Sequence, residues 1–368
     1  MVANTVTVSE LENLSVLIFN AVQPKLKGGV KRFADNLVTG VRSKHALVYD
    51  LIGSKRGITK NFFKVLKDYV KYLDNVKVIH FIVLSPYNVP FVILAKIFGK
   101  KIISTYHGIY FEESSLVKSP HIFVPFWIAD KIYKLFSDVI ISPSEYLLRV
   151  MKITGKTAVI PNPLNPEAFK KQLSKSDIVK FSDEIVLTCI SDFSNRKKSG
   201  GLRLLLDAMD DIAKELFSIK LLVFGDGKNL DSIKSKYGSR KNIIFMGFRD
   251  DLHHFMSCSD AYLHISGLDN QPYSVIEAMM LGKVIFCNDL GGLVEMIDPK
   301  NNYIVSLDSM AIAKGLRSLI ADIQNNRELF KEKGQRNRAF AINRYSADII
   351  ALKHIEIYKG VMQPNHIR

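Results

Sequence analysis

The stretch Ala261-Tyr-Leu-His-Ile-Ser-Gly-Leu-Asp269-Asn-Gln-Pro272-Tyr-Ser-Val-Ile-Glu277-Ala-Met-Met-Leu-Gly282-Lys-Val-Ile-Phe286 reads as strand, helix, strand. An apolar run, Ala261 to Ile265, leads to Pro272, which suits the mouth of a helix because its φ is fixed and it has no N–H to satisfy. A second apolar run at Val284 closes the unit. Asp269 lies past the end of the first strand, and Glu277 eight residues later lies just inside the helix. Ligands of open α/β sheets bind outside the carboxyl ends of the strands. Two carboxylates there can accept hydrogen bonds from the vicinal hydroxyls of a ribose or a hexose. An acidic first turn is also common at helix N-termini that bind nothing, so the spacing alone leaves both readings open.

The same alternation extends in both directions. Ser15–Phe19, Val78–Val83, Lys101–Ser104 and Asp138–Ile141 each precede a helix-like segment; the pattern restarts at Ile185–Ile190 and runs through Leu221–Phe224 and Ile243–Phe245. Between the two series, Pro161-Asn-Pro-Leu-Asn-Pro166 interrupts both periodicities, and a basic stretch from Lys170 to Lys180 follows. A chain of 368 residues exceeds one ordinary core. The expected class is α/β, with two doubly wound, Rossmann-like domains at 1–166 and 167–346. The helix-like end, 347–368, comes after the second sheet is complete and is expected to pack back on the first domain.

The hydrophobic fraction of 47% supports two cores and excludes a disordered chain. No charged start followed by an apolar run and a cleavage site opens the sequence, and Val89 to Phe98 is too short to span a bilayer, reading instead as a core helix. Cys189, Cys258 and Cys287 have no metal-ligand spacing and read as reduced thiols of a cytoplasmic protein. No Gly-x-Gly-x-x-Gly follows the first strand, against a nicotinamide dehydrogenase. The net charge is +15, and residues 1–170 carry 23 Lys/Arg against 12 Asp/Glu, or +11, leaving 28 against 24, or +4, for the rest. The first domain therefore faces something acidic: a membrane surface, a phosphorylated lipid or nucleic acid. No nucleic-acid-binding motif accompanies the charge, which disfavours the last.

The acidic pair, the following Ala278-Met279, Gly282, and the later Gly291-Gly292-x-x-Glu295 together resemble the retaining glycosyltransferases of the GT-B fold, the large family-four group also known as glycosyl transferases group 1. The likeness continues upstream through Leu222-Val-Phe-Gly225-Asp226-Gly227 and Asn242–Gly247. It is looser in the first domain, at Gly28-Gly29-Val30 and at Thr105-Tyr106-His107-Gly108.

The resemblance implies two Rossmann-like domains facing across a cleft, the first binding the acceptor and the second the nucleotide sugar. It implies transfer of a hexosyl unit from a UDP- or GDP-sugar to an acceptor hydroxyl with retention. Glu277 would hold the ribose diol and Asp269 the sugar hydroxyls. Backbone near Gly29, Gly225, Asp226, Gly291 and Gly292 would meet donor phosphate or sugar, and His107 would orient the sugar. In Asn195-Arg196-Lys197-Lys198-Ser199-Gly200 the family's basic pair, which neutralises the diphosphate, falls on Arg196 and Lys198, although the local pattern also admits Lys197. Asp269 stands where Glu is usual, shortening the reach by one methylene. No Asp-x-Asp triplet occurs, so no metal or other cofactor is expected. The same fold and donor chemistry would also serve a sugar-nucleotide epimerase or a phosphorylase.

Two segments of the first domain bear on where such an enzyme works. In Lys60–Leu73, Phe62, Phe63, Leu66, Tyr69, Val70 and Leu73 fall near one helical face with Lys60, Lys64, Lys67 and Lys71 beside it; Phe123–Ile128, followed by Lys131 and Lys134, is a second aromatic and basic cluster. These suggest docking on the anionic inner face of a membrane and a lipid-linked saccharide acceptor, in surface polysaccharide or lipopolysaccharide assembly.

Overall fold

The structure, a computed structural model, describes residues 14–20, 28–44, 47–52, 62–108, 120–167, 173, 184–194, 196–215 and 218–363, with the backbone alone described at 20, 47–52 and 120–123. Lys60 and almost all of the basic stretch from Lys170 to Lys180 lie outside the described residues. The chain forms two compact units, one made of Met1–Leu164 with Tyr345–Arg368 and the other of Asn165–Arg344.

The first unit runs β1 (Ser15–Asn20), α1 (Gly29–Arg42), β2 (Leu47–Ile52), α2 (Phe62–Leu73), β3 (Val78–Phe81), α3 (Val89–Ile97), β4 (Lys101–Thr105), α4 (Pro120–Phe136), β5 (Val139–Ser142), α5 (Glu145–Val150) and β6 (Thr157–Val159). Its six strands are parallel in the order β2-β1-β3-β4-β5-β6. Right-handed crossovers then place α2, α3 and α4 on one face and α1 on the other. On the first of these faces, Val65, Tyr69 and Leu73 of α2 and Phe91, Val92 and Ala95 of α3 pack against Phe19, Ile79 and Phe81 of the sheet. The last helix, α13 (Ala347–Met362), packs on α1. The boundary lies at Leu164, two residues before Pro166, because the returning chain pairs there: the Leu164 N–H donates to Tyr345 O (2.8 Å) and the Ala347 N–H to Leu164 O (3.0 Å).

The second unit runs β7 (Ile185–Ile190), α6 (Arg196–Ile212), β8 (Ile219–Phe224), α7 (Leu230–Tyr237), β9 (Ile243–Gly247), α8 (Leu252–Cys258), β10 (Ala261–His264), α9 (Tyr273–Met280), β11 (Val284–Asn288), α10 (Gly291–Val294), β12 (Tyr303–Val305), α11 (Ser309–Asn325) and α12 (Arg327–Tyr345), whose last residue already belongs to the first unit. Its parallel order is β12-β11-β10-β7-β8-β9. From β7 the chain steps outward to β8 and β9, then returns to the other side of β7 for β10, so the topological switch lies between β7 and β10. Leu205, Met209, Leu316 and Ile320 bury one face of this sheet. Cys189 and Cys287 are buried free thiols, and burial pushes the Cys287 thiol up to about 12; Cys258 is half-buried and also free.

The helix α2 corrects the sequence expectation for its face. Tyr69 and Leu73, grouped above with a docking surface, are buried with Val65 in the core, because spacing of four residues keeps all three on the sheet side. Phe63 and Val70 are exposed. The expected core helix α3 is likewise buried on one face only, with Ile97 at 71% exposure.

Candidate active site

The carboxyl ends of β7 and β10 flank a cavity of about 160 Å³ whose polar lining is Ser191, Asp192, Lys198, His264, Asp269 and Ser274. It lies at the switch point between the two strands, where neighbouring loops leave in opposite directions and open a crevice. The first turn of α6 reaches this crevice because two glycines permit close backbone approach. A Cβ at Gly201 would lie 2.7 Å from Ser266 Cα, and one at Gly267 2.7 Å from Lys197 O. The Gly267 N–H also donates to Lys197 O (3.2 Å), tying the loop after β10 to the helix. On its other side the loop is pinned by Asn288 of β11, whose Oδ1 accepts from Ser266 N–H (2.9 Å) and whose amide donates to Ser266 O (3.0 Å).

This framework brings Lys198 to Asp269, with Nζ 2.9 Å from Oδ1. The other carboxylate oxygen lies 3.1 Å from His264 Nε2. A ring N–H of His264 donates to this carboxylate, and Nδ1 of the same ring lies 3.4 Å from the Tyr262 hydroxyl. Burial pushes the Asp269 carboxyl upward; the hydrogen bond and charge of His264 and the Lys198 ammonium outweigh it and hold the group at about 2. Asp269 is therefore an anion at any ordinary pH, held from both sides.

Glu277, one turn into α9, is buried, with Oε1 3.4 Å from Nε2 of His253 on α8. It does not line the cavity itself. Of the basic loop, Lys198 alone faces the cavity; Arg196 and Lys197 are exposed in the first turn of α6. Gly225 and Asp226 follow β8, where Asp226 is exposed and accepts from the Gly227 N–H (2.7 Å). That loop is strapped to the one after β7: Phe193 N–H donates to Asp226 O (3.2 Å), and the Asn229 amide donates to Phe193 O (2.6 Å). Gly291 and Gly292 open α10, with Gly292 against Asn270.

His107 and Gly29 belong to the first unit. Gly29 is exposed at the start of α1. His107 follows β4, with its ring edge-on to Phe33 at 4.5 Å. Burial lowers its pKa, the neighbouring His354 adds to this, and a hydrogen bond to the Ile82 backbone opposes it, leaving the ring at about 3. His107 is neutral, and its Nε2 is buried without a hydrogen-bond partner among the described residues.

Sequence reading missed His264, Tyr262 and His253. The first two sit in β10, where alternating side chains at positions 262 and 264 share one sheet face; a histidine ending a strand five residues before an acidic loop residue was a usable signal. His253 lies 24 positions before its partner and carries none.

Residues 170–337 match the family model described as "Glycosyl transferases group 1". The chain is 22% identical over 306 residues to an uncharacterized glycosyltransferase, MJ1059, of Methanocaldococcus jannaschii, covering 78% of this chain and 72% of that one. Among solved structures it resembles Anabaena HepE in complex with UDP (TM-score 0.70, 18% identity, 94% of this chain and 100% of that one). It also resembles WaaG, a glycosyltransferase involved in lipopolysaccharide biosynthesis (TM-score 0.67, 14% identity, 94% and 100%). The structural likeness carries the GT-B fold, and the match to the glycosyl transferases group 1 family falls on residues 170–337, within the unit that holds the cavity.

Proposed function

We propose that this protein is a glycosyltransferase of group 1, a retaining hexosyltransferase that takes its sugar from a nucleotide diphosphate donor, UDP- or GDP-linked, and passes it to a hydroxyl of a saccharide or lipid-linked saccharide. The observation that carries the reading is the fixed ion pair of Lys198 and Asp269 in the cavity at the β7–β10 switch. A developing diphosphate needs a preorganised cation, and sugar hydroxyls need a charged acceptor that stays ionised. HepE, the structural neighbour, was crystallised with UDP and with UDP-glucose, which favours a UDP-sugar here.

In this reading Glu277 accepts the ribose hydroxyls, Asp269 the sugar hydroxyls, and Lys198 meets the leaving diphosphate, with Arg196 outside it. Backbone around Gly225, Asp226, Gly291, Gly292 and Gly29 supplies further donor contacts. His107, neutral with an open Nε2 lone pair, accepts a hydrogen bond from a sugar hydroxyl and so orients the ring. The acceptor attacks from the leaving-group face and the departing phosphate takes its proton, so no protein base is assigned. Neutralisation by a lysine makes the reaction metal-independent.

The acceptor belongs to surface polysaccharide or lipopolysaccharide assembly, a role supported by the likeness to WaaG, and the enzyme works at the cytoplasmic face of the membrane. No helix among the described residues is long and apolar enough to cross a bilayer. Incubation with a panel of UDP- and GDP-sugars and saccharide acceptors, with the anomeric configuration of the product read by NMR, tests the reading. An inverted linkage would remove retention, and donor conversion that needs no acceptor hydroxyl would make the protein an epimerase.

A further inference from the structure

The face of the first sheet covered by α2, α3 and α4 carries an unusual share of the exposed apolar surface. Of 18 large apolar side chains exposed among the described residues, ten belong to these three helices, to Tyr87 in the turn before α3 or to Phe98 just after it. Contiguous apolar surface of this kind marks an interaction site, whereas single exposed residues need no explanation. The pattern within each helix excludes misjudged core. On α4, Val124, Trp127, Ile128 and Leu135 recur at helical spacing on the side opposite buried Ala129 and Tyr133. On α3, Ile93 and Ile97 stand one turn apart, continued by Phe98, while Phe91, Val92 and Ala95 face the sheet. On α2, Phe63 and Val70 lie outside the buried Val65–Tyr69–Leu73 row. The helices are neighbours, α2 touching α3 and α3 touching α4.

Lysines border this surface. Lys64, Lys67 and Lys71 are exposed along α2, and Lys131 stands over the Trp127 ring at 5.8 Å. The acidic groups nearby are largely engaged: Asp138 pairs with Lys96 (3.8 Å) and Lys101 (3.4 Å), and Asp130 with Lys134 (2.7 Å), leaving Asp68 and Asp74 on and beside α2. An apolar ridge with an indole and a lysine border matches the layering of an anionic bilayer surface, with rings at the headgroup level and ammonium groups among lipid phosphates. A second copy of the chain fits poorly, since a two-fold contact would set the same lysines against one another.

We infer that the α2–α3–α4 face docks the enzyme on an anionic lipid bilayer, with the apolar side chains of α3 and α4 entering the interface and the α2 lysines at the headgroups. This deepens the reading of a lipid-linked acceptor and can be tested apart from it. Trp127 is the single tryptophan of the chain, so its emission reports insertion directly. Vesicles of phosphatidylglycerol and phosphatidylcholine are expected to shift that emission to the blue and to sediment the protein, and pure phosphatidylcholine to do neither. Ile97→Asp with Ile128→Asp should cut partitioning at least tenfold with Tm unchanged, because both side chains are exposed. Each of Lys64, Lys67 and Lys71 changed to Gln should weaken it by about fivefold. Absence of a blue shift with anionic vesicles, equal binding to neutral ones, or self-association that hides Trp127 instead would overturn the inference. Transfer to a water-soluble saccharide should survive the Ile97/Ile128 change; if vesicles bind but no lipid-linked acceptor is glycosylated, the acceptor reading fails and the docking surface stands.

Discussion

Replacing Lys198 by Met should separate it sharply from Arg196, two residues earlier on the same helix. Lys198 is 27% exposed and paired at 2.9 Å to an Asp269 side chain that is 12% exposed, whereas Arg196 is exposed at the helix start and does not line the cavity. Loss of one preorganised cation from a developing diphosphate costs about 3 kcal/mol, roughly a hundredfold in kcat. An exposed side chain without that contact contributes within about ±0.5 kcal/mol, so Arg196→Met should keep kcat within roughly threefold. The variant also carries a signature in acid. Asp269 titrates at about 2 in the fold and near 4 in an unfolded chain, so its charged form stabilises the fold above about pH 4 and the contribution drains away as pH falls toward 2. Over the full window that is worth about 2 to 3 kcal/mol. Without Lys198 the carboxyl keeps only His264, its pKa rises, and the acid-dependent loss shrinks. Steady-state transfer at saturating UDP-sugar, calorimetry with UDP, and thermal melts from pH 6 to pH 3 read all three effects. A kcat for Lys198→Met within threefold of the parent, or a larger loss at Arg196, would refute the assignment of the diphosphate to Lys198.

Glu277→Ala should weaken UDP binding by about 10- to 150-fold, the equivalent of one charge-assisted hydrogen bond, and unchanged calorimetry would remove Glu277 from the ribose. His264→Gln keeps an N–H directed at Asp269 and should retain most activity, while His264→Leu, which leaves the buried Asp269 carboxylate without that donor, should lose both kcat and about 1 to 3 kcal/mol of stability; equal rates for the two would reduce His264 to packing. Gly225 has φ +123° and a Cβ there would meet Ser191 O at 2.0 Å, so Gly225→Ala should lower Tm markedly; Gly200→Ala, in open space on α6, should raise stability by up to about 1 kcal/mol. Burial lowers the Lys283 ammonium to about 8 against the attraction of Asp260, so the unfolded chain binds the extra proton above that value. Stability should accordingly rise as pH climbs from 8 toward 10, and Lys283→Gln should flatten that rise in pH-dependent melts.

Both sheets are legible in the sequence, since β-branched runs alternating with amphipathic stretches admit few arrangements other than parallel α/β units. Pro161–Pro166 broke the alternation between the two series, because three prolines in six residues suit neither helix nor a central strand. Asp269 and Glu277 stood out as carboxylates placed at a strand end and inside the next helix, eight residues apart. What those residues touch was not written there. That Lys198 and not Arg196 reaches Asp269 depends on the angle at which α6 meets β10, set by the absence of side chains at Gly201 and Gly267. The clamp from His264, the burial of Glu277 beside His253, and the inward turn of Tyr69 and Leu73 on α2 are likewise contacts between distant segments. Local sequence determines periodicity and turn chemistry, which decide the kind of element and its order. The separation of charged atoms, the exposure of an apolar side chain and the protonation of a buried carboxyl depend on which elements pack together and how closely, and those distances exist only in the folded chain.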